Sequence, residues 1–408
     1  MMMKTLRQEF RAEMAEIGCW WADNALDVRR GGFVGAITHR NDKLYEANKG
    51  VVQNARILWF FSELARVTGD GPNAGDCTTG ERRYSGLAER AYDYFIRYFC
   101  DPVYGGVYWE LNCRGEVVGN RKQIYAQAFA IYGLTSYYRL TACPSALSLA
   151  EELFGLVERY GRDPRHGGYL EAFSRRWASI DDMRLSEKDM NAPKTMNTHL
   201  HVLEAYTSLY RVAPSAALLA AIENCLECFR NHILSGGELY LRMYMDLEWN
   251  DLSDLRSFGH DIEASWLIWE ALEVMQSETL KGGWKDKVVG MARQCLDRAV
   301  GDNGEIFDAM ILESGKRIEQ RVWWVQAEAL VGFLAAFRLT GDGQFLHAAV
   351  EVWRFIRRYQ KDPRHGEWLW FSRLDRSSTA CKMGPWKGPY HNGRAMMEAF
   401  RILQDCDG

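Results

Sequence analysis

The chain has 408 residues, of which 47% are hydrophobic and 25% charged, and its formal net charge is -4. This composition is typical of a globular protein, so it excludes a disordered chain, and the charge argues against a nucleic-acid-binding surface. Aromatic residues are abundant, with 15 Trp, 19 Tyr and 18 Phe against only 9 Pro. So many rings predict a large core, a surface for stacking ligands, or both.

The first residues, MMMKTLRQEFRAEMAEIG, contain charges of both signs and no apolar segment of a signal peptide. No stretch of about 18 uncharged apolar residues occurs, so no membrane span is predicted. Cys225 and Cys228 form a lone CxxC without the second pair typical of a zinc site, which favours two reduced core thiols. We therefore predict a cytoplasmic protein without a metal.

Helical periodicity dominates the chain, with apolar residues at three- and four-residue spacing, as at Ile57, Phe60, Phe61 and Leu64. About twelve helical segments are predicted. They lie at 4–27, 50–69, 84–100, 122–142, 145–160, 195–212, 215–232, 260–276, 284–299, 321–340, 343–359 and 388–404.

A glycine-containing turn followed by aromatic and β-branched residues recurs between helix pairs. Examples are DPVYGGVYWEL from Asp101, DPRHGGYLEAF from Asp163 and DPRHGEWLWFS from Asp362. Glycine permits the positive φ of a tight turn, and the residues beyond it suit a short hairpin. Six units of roughly 68 residues would fill the chain, and this repeat predicts an all-α (α/α)6 barrel. Without a Pro- or Ser-rich linker, we predict a single catalytic domain over 1–408.

The polar segment 178–194, ASIDDMRLSEKDMNAPK, interrupts this repeat and has no periodicity. A long loop inside a compact domain is usually functional or mobile. We expect this one to cover the mouth of the barrel.

Three histidine motifs are candidates for chemistry. In KTMNTHLHVLEAY, Asn197 and His201 share a helix face with Glu204, although ordinary core histidines or a weak metal pair would also fit. In SFGHDIEASW, His260 opens a helix and Glu263 lies within reach of its ring, an arrangement suited to acid–base work unless Glu263 only caps the helix.

The third motif is GPWKGPYHNGRAMM, in which Trp386, Tyr390 and His391 stand among glycines and prolines. It predicts a rigid sugar-binding wall or, alternatively, a structural helix entry.

Two further segments place polar groups in apolar helices. Arg56 interrupts KGVVQNARILWFFS, and a buried arginine must be paired or must face a site, where it can stabilise an oxyanion. In WWVQAEAL, at most one of Trp323 and Trp324 is expected to face the mouth, because adjacent side chains point different ways.

Walker A, GxGxxG, GxSxG and HExxH motifs are absent, so neither a nucleotide cofactor nor an activated serine is predicted.

Several of these segments occur together, and in the same order, in one known family. GGFVGAI, KGVVQNARILWFFS, KQIYAQAFAIYGL, NTHLHVLEAY, GHDIEASWL, VWWVQAEALVGF and WKGPYHNGR resemble the N-acylglucosamine 2-epimerase superfamily, and within it the cellobiose 2-epimerases, over nearly the whole chain. The resemblance implies an (α/α)6 barrel. It also implies epimerisation at C2 of the reducing-end sugar of β-1,4-linked disaccharides, without cofactor or metal.

The resemblance further implies individual roles. The expected catalytic residues are His260 and His391 as the acid–base pair, His201 as a third active-site histidine, Glu263 as the partner of His260, and Arg56 near the reactive oxygens. The expected substrate contacts are Tyr125, Asn197, Trp323 and Trp386. Trp323 is chosen over Trp324 on the resemblance alone.

These roles agree with the chemistry of the reaction. The C2 proton is acidic only when C1 is a free aldehyde, so the sugar ring must open first. One histidine would remove this proton to give a cis-enediol, and a second would return a proton to the opposite face. Protonation at C1 instead would give a ketose side product.

Other functions remain open from the sequence. A mannose isomerase or an N-acylglucosamine 2-epimerase of the same superfamily would use similar motifs. A glycoside hydrolase on an (α/α)6 barrel would need two site carboxylates, for which Asp261, Glu263 and Glu204 are candidates. A non-catalytic sugar-binding protein is the last alternative. As partners we expect only a small disaccharide, with the chain a monomer or weak homodimer.

Overall fold

The computed structural model describes residues 2–70, 83–375 and 379–405. Over these ranges the chain forms twelve α-helices: α1 (Met2–Asn24), α2 (Val51–Thr68), α3 (Arg83–Tyr98), α4 (Ile124–Thr141), α5 (Pro144–Leu156), α6 (Met196–Tyr210), α7 (Ala216–Cys228), α8 (Phe258–Met275), α9 (Glu278–Ala299), α10 (Trp323–Thr340), α11 (Gly343–Phe355) and α12 (His391–Asp405). Helices α5, α7 and α11 each continue into a π-helical turn, at Val157–Gly161, Phe229–Ile233 and Ile356–Gln360.

The predicted helical segments are thereby confirmed, and the largest shift at a helix start is in α9. This helix begins at Glu278, where the Ser277 side chain accepts a hydrogen bond from the Leu280 N–H and so caps the helix. Gly282 and Gly283 lie inside its first turns. Glycine is a poor helix former, which explains why the periodicity indicated a start only near residue 284.

The strands are short and lie between the helices. They are β1 (Ala36–Ile37), β2 (Lys43–Leu44), β3 (Lys49–Gly50), β4 (Glu110–Leu111), β5 (Val117–Gly119), β6 (Lys122–Gln123), β7 (Ala172–Phe173), β8 (Lys194–Thr195), β9 (Tyr244–Met245), β10 (Leu255–Ser257), β11 (Ala309–Ile311) and β12 (Arg317–Ile318). The pairs β1–β2, β4–β5 and β11–β12 are hairpins. Of the segments named from the sequence, the one at Asp101 forms the hairpin β4–β5, whereas the one at Asp163 forms the single strand β7 and the one at Asp362 isolated bridges. Three further pairings, β3 with β4, β6 with β7 and β10 with β11, connect consecutive loops. The sequence did not predict them.

The chain divides into two compact units. One comprises residues 18–222 and 381–390, and in it α2, α4 and α6 pack side by side, with α3 against α2 and α5 against α4. The other comprises residues 1–17, 223–380 and 391–408, and in it α10 packs against both α8 and α12, with α9 against α8 and α11 against α10. In α2 every residue from Val51 to Ala65 is buried, so this helix is enclosed on all sides.

The glycine turns that recur in the sequence share one structural contact. In four helices, the side chain of the fourth residue bonds to the main chain just after a glycine turn. Gln127 in α4 accepts a hydrogen bond from the Val107 N–H at 2.8 Å and donates to its carbonyl at 3.1 Å. Gln326 in α10 makes the same two bonds to Ile306, at 2.8 and 2.7 Å. His199 in α6 accepts from the Tyr169 N–H, and Asp261 in α8 from the Leu241 N–H. Each helix start thus holds an isolated bridge residue that follows a glycine turn.

A second repeated contact is a buried ion pair. Lysines two residues before α2, α4 and α6 bind the aspartate that opens a glycine turn, in the pairs Lys49–Asp27 (2.9 Å), Lys122–Asp101 (3.1 Å) and Lys194–Asp163 (2.8 Å). Within the turn after Asp101, Gly105 and Gly106 have φ of 67° and 73°, the left-handed region that glycine tolerates. These contacts fix where the helices of this unit begin.

None of the described helices is both long and apolar enough to cross a membrane. Cys225 and Cys228 are buried in α7, as expected for core thiols.

Candidate active site

His391 is the first residue of α12 and belongs to a buried charged group. Its Nδ1 atom lies 2.6 Å from Oε1 of Glu328 in α10 and 4.0 Å from Oε1 of Glu263 in α8. The carboxylate of Glu328 can only accept here, so His391 Nδ1 carries the proton, and the tautomer and the direction of the ring are set.

Arg394 completes this group, one helical turn after His391. Its Nη2 atom donates to Glu263 Oε1 at 2.5 Å and to Glu328 Oε1 at 2.7 Å, and its guanidinium lies 4.7 Å from the centre of the Trp266 ring. The two acidic side chains and the guanidinium surround the His391 ring with polar groups that can compensate a charge on it. The group therefore suits a histidine that alternates between its neutral and charged forms.

Glu263, Glu328 and His391 are also the one set of three potential metal ligands among the described residues, with their ligand atoms within 4.8 Å of one another. The Arg394 guanidinium, however, already bonds both carboxylates. The protein thus supplies a cation of its own at the position where these carboxylates would bind a metal.

His260 lies in the first turn of α8. Its Nδ1 atom is 2.8 Å from Oγ of Ser257, the residue that caps this helix. A hydroxyl carries no charge, and the helix N-terminus favours a neutral ring, so His260 and His391 have different electrostatic surroundings.

The indole of Trp324 is the feature that these two histidines share. Its ring centre lies 4.7 Å from that of His260 and 5.5 Å from that of His391. Trp323 is buried, and its ring lies 4.3 Å from Trp370 and 6.3 Å from His391. The contacts thus place Trp324 beside both histidines and Trp323, the predicted substrate contact, beside His391.

The contacts of Glu263 also differ from the prediction. The sequence paired it with His260, three residues earlier on the same helix, but its Oε1 atom binds Arg394, and His260 Nδ1 contacts Ser257 instead. Helical spacing brings two side chains to one face, but it cannot show that a more distant arginine competes for the carboxylate.

Arg56 lies in α2 and is only 3% exposed. Its Nη1 atom donates to the Trp386 carbonyl at 3.0 Å and its Nη2 atom to the Tyr125 hydroxyl at 2.9 Å. The guanidinium also lies 4.3 Å from the centre of the Phe129 ring. No carboxylate of the described residues forms an ion pair with it, so Arg56 is a buried positive charge without a counter-charge of that kind.

His201 forms a second buried group, in the same unit as Arg56. Its Nδ1 atom lies 2.9 Å from Oε2 of Glu204, and the Tyr390 hydroxyl donates to Glu204 at 2.5 and 2.7 Å. The ring of Tyr125 meets His201 edge-on at 5.0 Å. As predicted, His201 and Glu204 share a helix face, and a carboxylate orients the ring.

His199 points away from this group. Its Nδ1 atom lies 2.7 Å from the Thr195 carbonyl, and its Nε2 atom accepts from the Tyr169 N–H at 2.9 Å. Bonds of opposite type at the two nitrogens require the neutral ring, so this fully buried histidine is structural.

Two further predicted substrate contacts have exposed or unbonded groups. Asn197 is half-buried, and its Oδ1 atom is buried without a hydrogen bond from any described residue. Trp386 is half-buried, and its ring lies 5.9 Å from Trp109 and 6.3 Å from Tyr125. Trp386 also lines a cavity of about 200 Å³.

Three residues of these groups had no role in the sequence interpretation, namely Arg394, Glu328 and Trp266. A signal existed for two of them. Glu328 interrupts an apolar helix as Arg56 does, and Arg394 lies three residues after His391 and so shares its helix face. Asp261, one of the carboxylates offered for a glycoside hydrolase, is fully buried and bound to Arg256 at 2.7 Å, so it does not suit that role.

Comparison with known proteins identifies the family. The family model of N-acylglucosamine 2-epimerase matches residues 31–395. This chain belongs to the N-acylglucosamine 2-epimerase family. It is 41% identical to cellobiose 2-epimerase from Bacteroides fragilis, over 97% of this chain and 99% of that one. It is 36% identical to cellobiose 2-epimerase from Ruminococcus albus, over 98% of each chain.

A solved structure agrees with this assignment. Cellobiose 2-epimerase from Bacillus thermoamylovorans superposes with a TM-score of 0.91 at 36% identity, over 98% of this chain and 99% of that one. The predicted all-α fold class, an (α/α)6 barrel, is confirmed, as is the predicted membership of a family of carbohydrate epimerases.

Proposed function

We propose that this enzyme epimerises C2 of the reducing-end sugar of β-1,4-linked disaccharides, converting cellobiose to glucosylmannose and lactose to epilactose. The observation that carries the proposal is the placement of His260 and His391 against one indole, that of Trp324. Inverting C2 requires a proton to leave one face and another to reach the opposite face, so two oriented histidines around one substrate position suit the reaction. The names of the full-length relatives support the choice of substrate.

The steps follow from the chemistry of the sugar. Ring opening gives a C1 aldehyde, which acidifies the C2 proton. Nε2 of one histidine takes this proton, and the electron pair of the C2–H bond forms the C1–C2 double bond of a cis-enediol while negative charge moves onto O1. Nε2 of the other histidine then protonates C2 from the opposite face, the double bond returns to C1=O1, and the ring closes.

The proposal gives the remaining residues supporting roles. Glu328, Glu263 and Arg394 orient His391 and offset its charge when it is protonated. Arg56 stabilises the charge that develops on the enediol oxygens, for which a buried guanidinium without an ion-pair partner is suited. Tyr125, Asn197, His201 and Trp386 contact the substrate, and Trp324 is assigned the stacking role that the sequence gave to Trp323.

The decisive experiment is proton NMR of cellobiose in deuterated water with the purified enzyme. We expect deuterium to enter at C2 and mannose-type signals to appear. His260→Ala and His391→Ala should each abolish this exchange while the far-ultraviolet circular dichroism spectrum stays the same. Absence of C2 exchange with the wild-type enzyme would overturn the proposal.

The same assay separates the alternatives. Released glucose would indicate a glycoside hydrolase. Faster turnover of free mannose or of N-acetylmannosamine than of cellobiose would indicate a mannose isomerase or an N-acylglucosamine 2-epimerase. We also expect activity to survive dialysis against EDTA, because Arg394 rather than a metal bonds the two carboxylates. The cytoplasmic location and the monomer or weak homodimer remain predictions, and size-exclusion chromatography with light scattering tests the latter.

A further inference from the structure

The polar segment 178–194 has no regular secondary structure before β8, yet it is held in place. The residues that hold it lie just before α4. The Arg121 Nη2 atom donates to the Arg184 carbonyl at 2.7 Å. The Gln123 Nε2 atom donates to the same carbonyl at 2.8 Å and to that of Met183 at 3.3 Å. Both residues bind main-chain carbonyls, so they fix the path of the loop whatever its side chains are.

The two donors differ in their surroundings. Gln123 is fully buried and directly precedes Ile124, the first residue of α4. Arg121 is half-buried, with its guanidinium 5.3 Å from the centre of the Trp109 ring. Burial lowers the pKa of Arg121 from its ordinary value, but an arginine remains charged at any physiological pH. A charge-assisted bond to a carbonyl is stronger than a neutral one, so Arg121 is expected to contribute most to holding the loop.

The held part of the loop forms one wall of a cavity of about 200 Å³. Leu185 and Ser186 line it, together with Trp109, Glu110, Pro385 and Trp386. Two indoles beside a few polar groups are suited to a sugar ring, because its C–H face packs on aromatic rings while its hydroxyls need hydrogen-bond partners. The Trp386 carbonyl accepts from Arg56, so this cavity adjoins the guanidinium assigned to the reactive oxygens.

We propose that Arg121 and Gln123 are positioning residues that hold residues 183–186 against this cavity and thereby secure the sugar unit that does not react. The proposal rests on the proposed function. The proposal assigns to these contacts binding of the ground state and the transition state alike, and the loss of such uniform binding raises KM and leaves kcat nearly unchanged. A general structural defect would instead lower kcat or the amount of folded enzyme.

The test compares Arg121→Ala, Arg121→Lys and the wild-type enzyme in steady-state epimerisation of cellobiose. For Arg121→Ala we expect KM to rise about three- to tenfold, the effect of losing roughly one hydrogen bond, with kcat within about twofold of wild type. Arg121→Lys keeps a charged donor and should restore part of the affinity. The control is Arg114→Ala, an exposed arginine in the turn between β4 and β5, for which no change is expected.

Limited digestion with trypsin gives a second readout, since Arg184 and Lys188 are cleavage sites within the loop. Cleavage after these residues should be faster in Arg121→Ala than in the wild type and in Arg114→Ala. An unchanged KM, or a fall in kcat at constant KM, would overturn the proposal, and so would equal cleavage rates. Failure of the wild-type enzyme to exchange the C2 proton would overturn the proposed function instead, so the two failures are distinguishable.

Discussion

Nδ1 of His391 lies 2.6 Å from Oε1 of Glu328, and this bond ties the first residue of α12 to the second turn of α10. The residues are 63 positions apart in the sequence. The bond sets the tautomer of a histidine to which the proposal assigns proton transfer at C2.

Replacing Glu328 by glutamine tests this relationship. Glu328→Gln keeps the shape of the side chain but removes the charge that balances an imidazolium, so kcat for cellobiose should fall about 10²- to 10⁴-fold. Glu398→Gln, on α12 in a surface pair with Arg401, is the matched control and should be neutral. A Glu328→Gln enzyme with wild-type kcat would contradict the role assigned to the pair.

The two adjacent tryptophans give a second test. Trp324→Ala removes the ring beside His260 and His391, whereas Trp323→Ala removes a buried ring that packs on Trp370. We expect Trp324→Ala to lower kcat/KM at least tenfold with a small change in melting temperature, and Trp323→Ala to cost about 3–5 kcal/mol of unfolding free energy. Steady-state kinetics and thermal unfolding of both variants measure this, and the reversed pattern would restore Trp323 as the stacking residue.

Arg56→Lys separates charge from geometry. Lysine keeps the positive charge but cannot donate both to the Trp386 carbonyl and to the Tyr125 hydroxyl in the planar arrangement that arginine has. We expect kcat/KM to fall about 10²- to 10³-fold, as for other losses of oxyanion stabilisation. Arg66→Lys, at the exposed end of the same helix, is the control. Equal C2 exchange rates in Arg56→Lys and in the wild type would remove Arg56 from the mechanism.

Glu171 predicts a pH dependence of stability. Burial raises its pKa to about 8, even though the Thr195 N–H, the Thr195 hydroxyl and the Thr198 hydroxyl all donate to it. The folded protein therefore binds this proton more tightly than the unfolded chain. The resulting stabilisation is complete below the ordinary pKa of 4.5 and is lost as the pH rises towards about 8.

Chemical unfolding between pH 5 and pH 9 measures this contribution. In Glu171→Gln the decline in unfolding free energy over this range should shrink by several kcal/mol, since each tenfold difference in proton affinity is worth about 1.4 kcal/mol. Parallel curves for Glu171→Gln and the wild type would show that Glu171 has an ordinary pKa. The variant also tests whether the carboxylic acid fixes the start of α6, which carries Asn197 and His201.

Asp101 shows the opposite behaviour on the acid side. The Arg175 guanidinium, the Val103 N–H and the Lys122 ammonium hold the pKa of Asp101 far below its usual value, so its stabilisation is present above about pH 4 and is lost as the solution becomes more acidic. Asp101→Asn leaves Lys122 buried without its counter-charge and should cost about 3–5 kcal/mol at pH 7. Urea unfolding measures this loss, and Asp302→Asn, in an exposed turn, should be neutral.

Much of this protein could be predicted from local patterns. The helices and the glycine turns can be predicted from spacing within a few residues, because a helix face and a tight turn are local structures. The family can be predicted in the same way, from short motifs. The same holds for the pairing of His201 with Glu204, which lie three residues apart on one helix face. Arg56 is a candidate from the sequence because a charge inside an apolar helix must be paired or must face a site.

Only the tertiary structure decided which partner each of these groups takes. Helical spacing made Glu263 a neighbour of His260, but Arg394, 131 residues later, binds it. Resemblance implies that Trp323 contacts the substrate, and the packing of the helices shows in addition that Trp324 lies beside both histidines while Trp323 lies against Trp370. The reason is physical: the sequence lists the charges and rings of each helix, whereas the packing of the helices determines which of them meet.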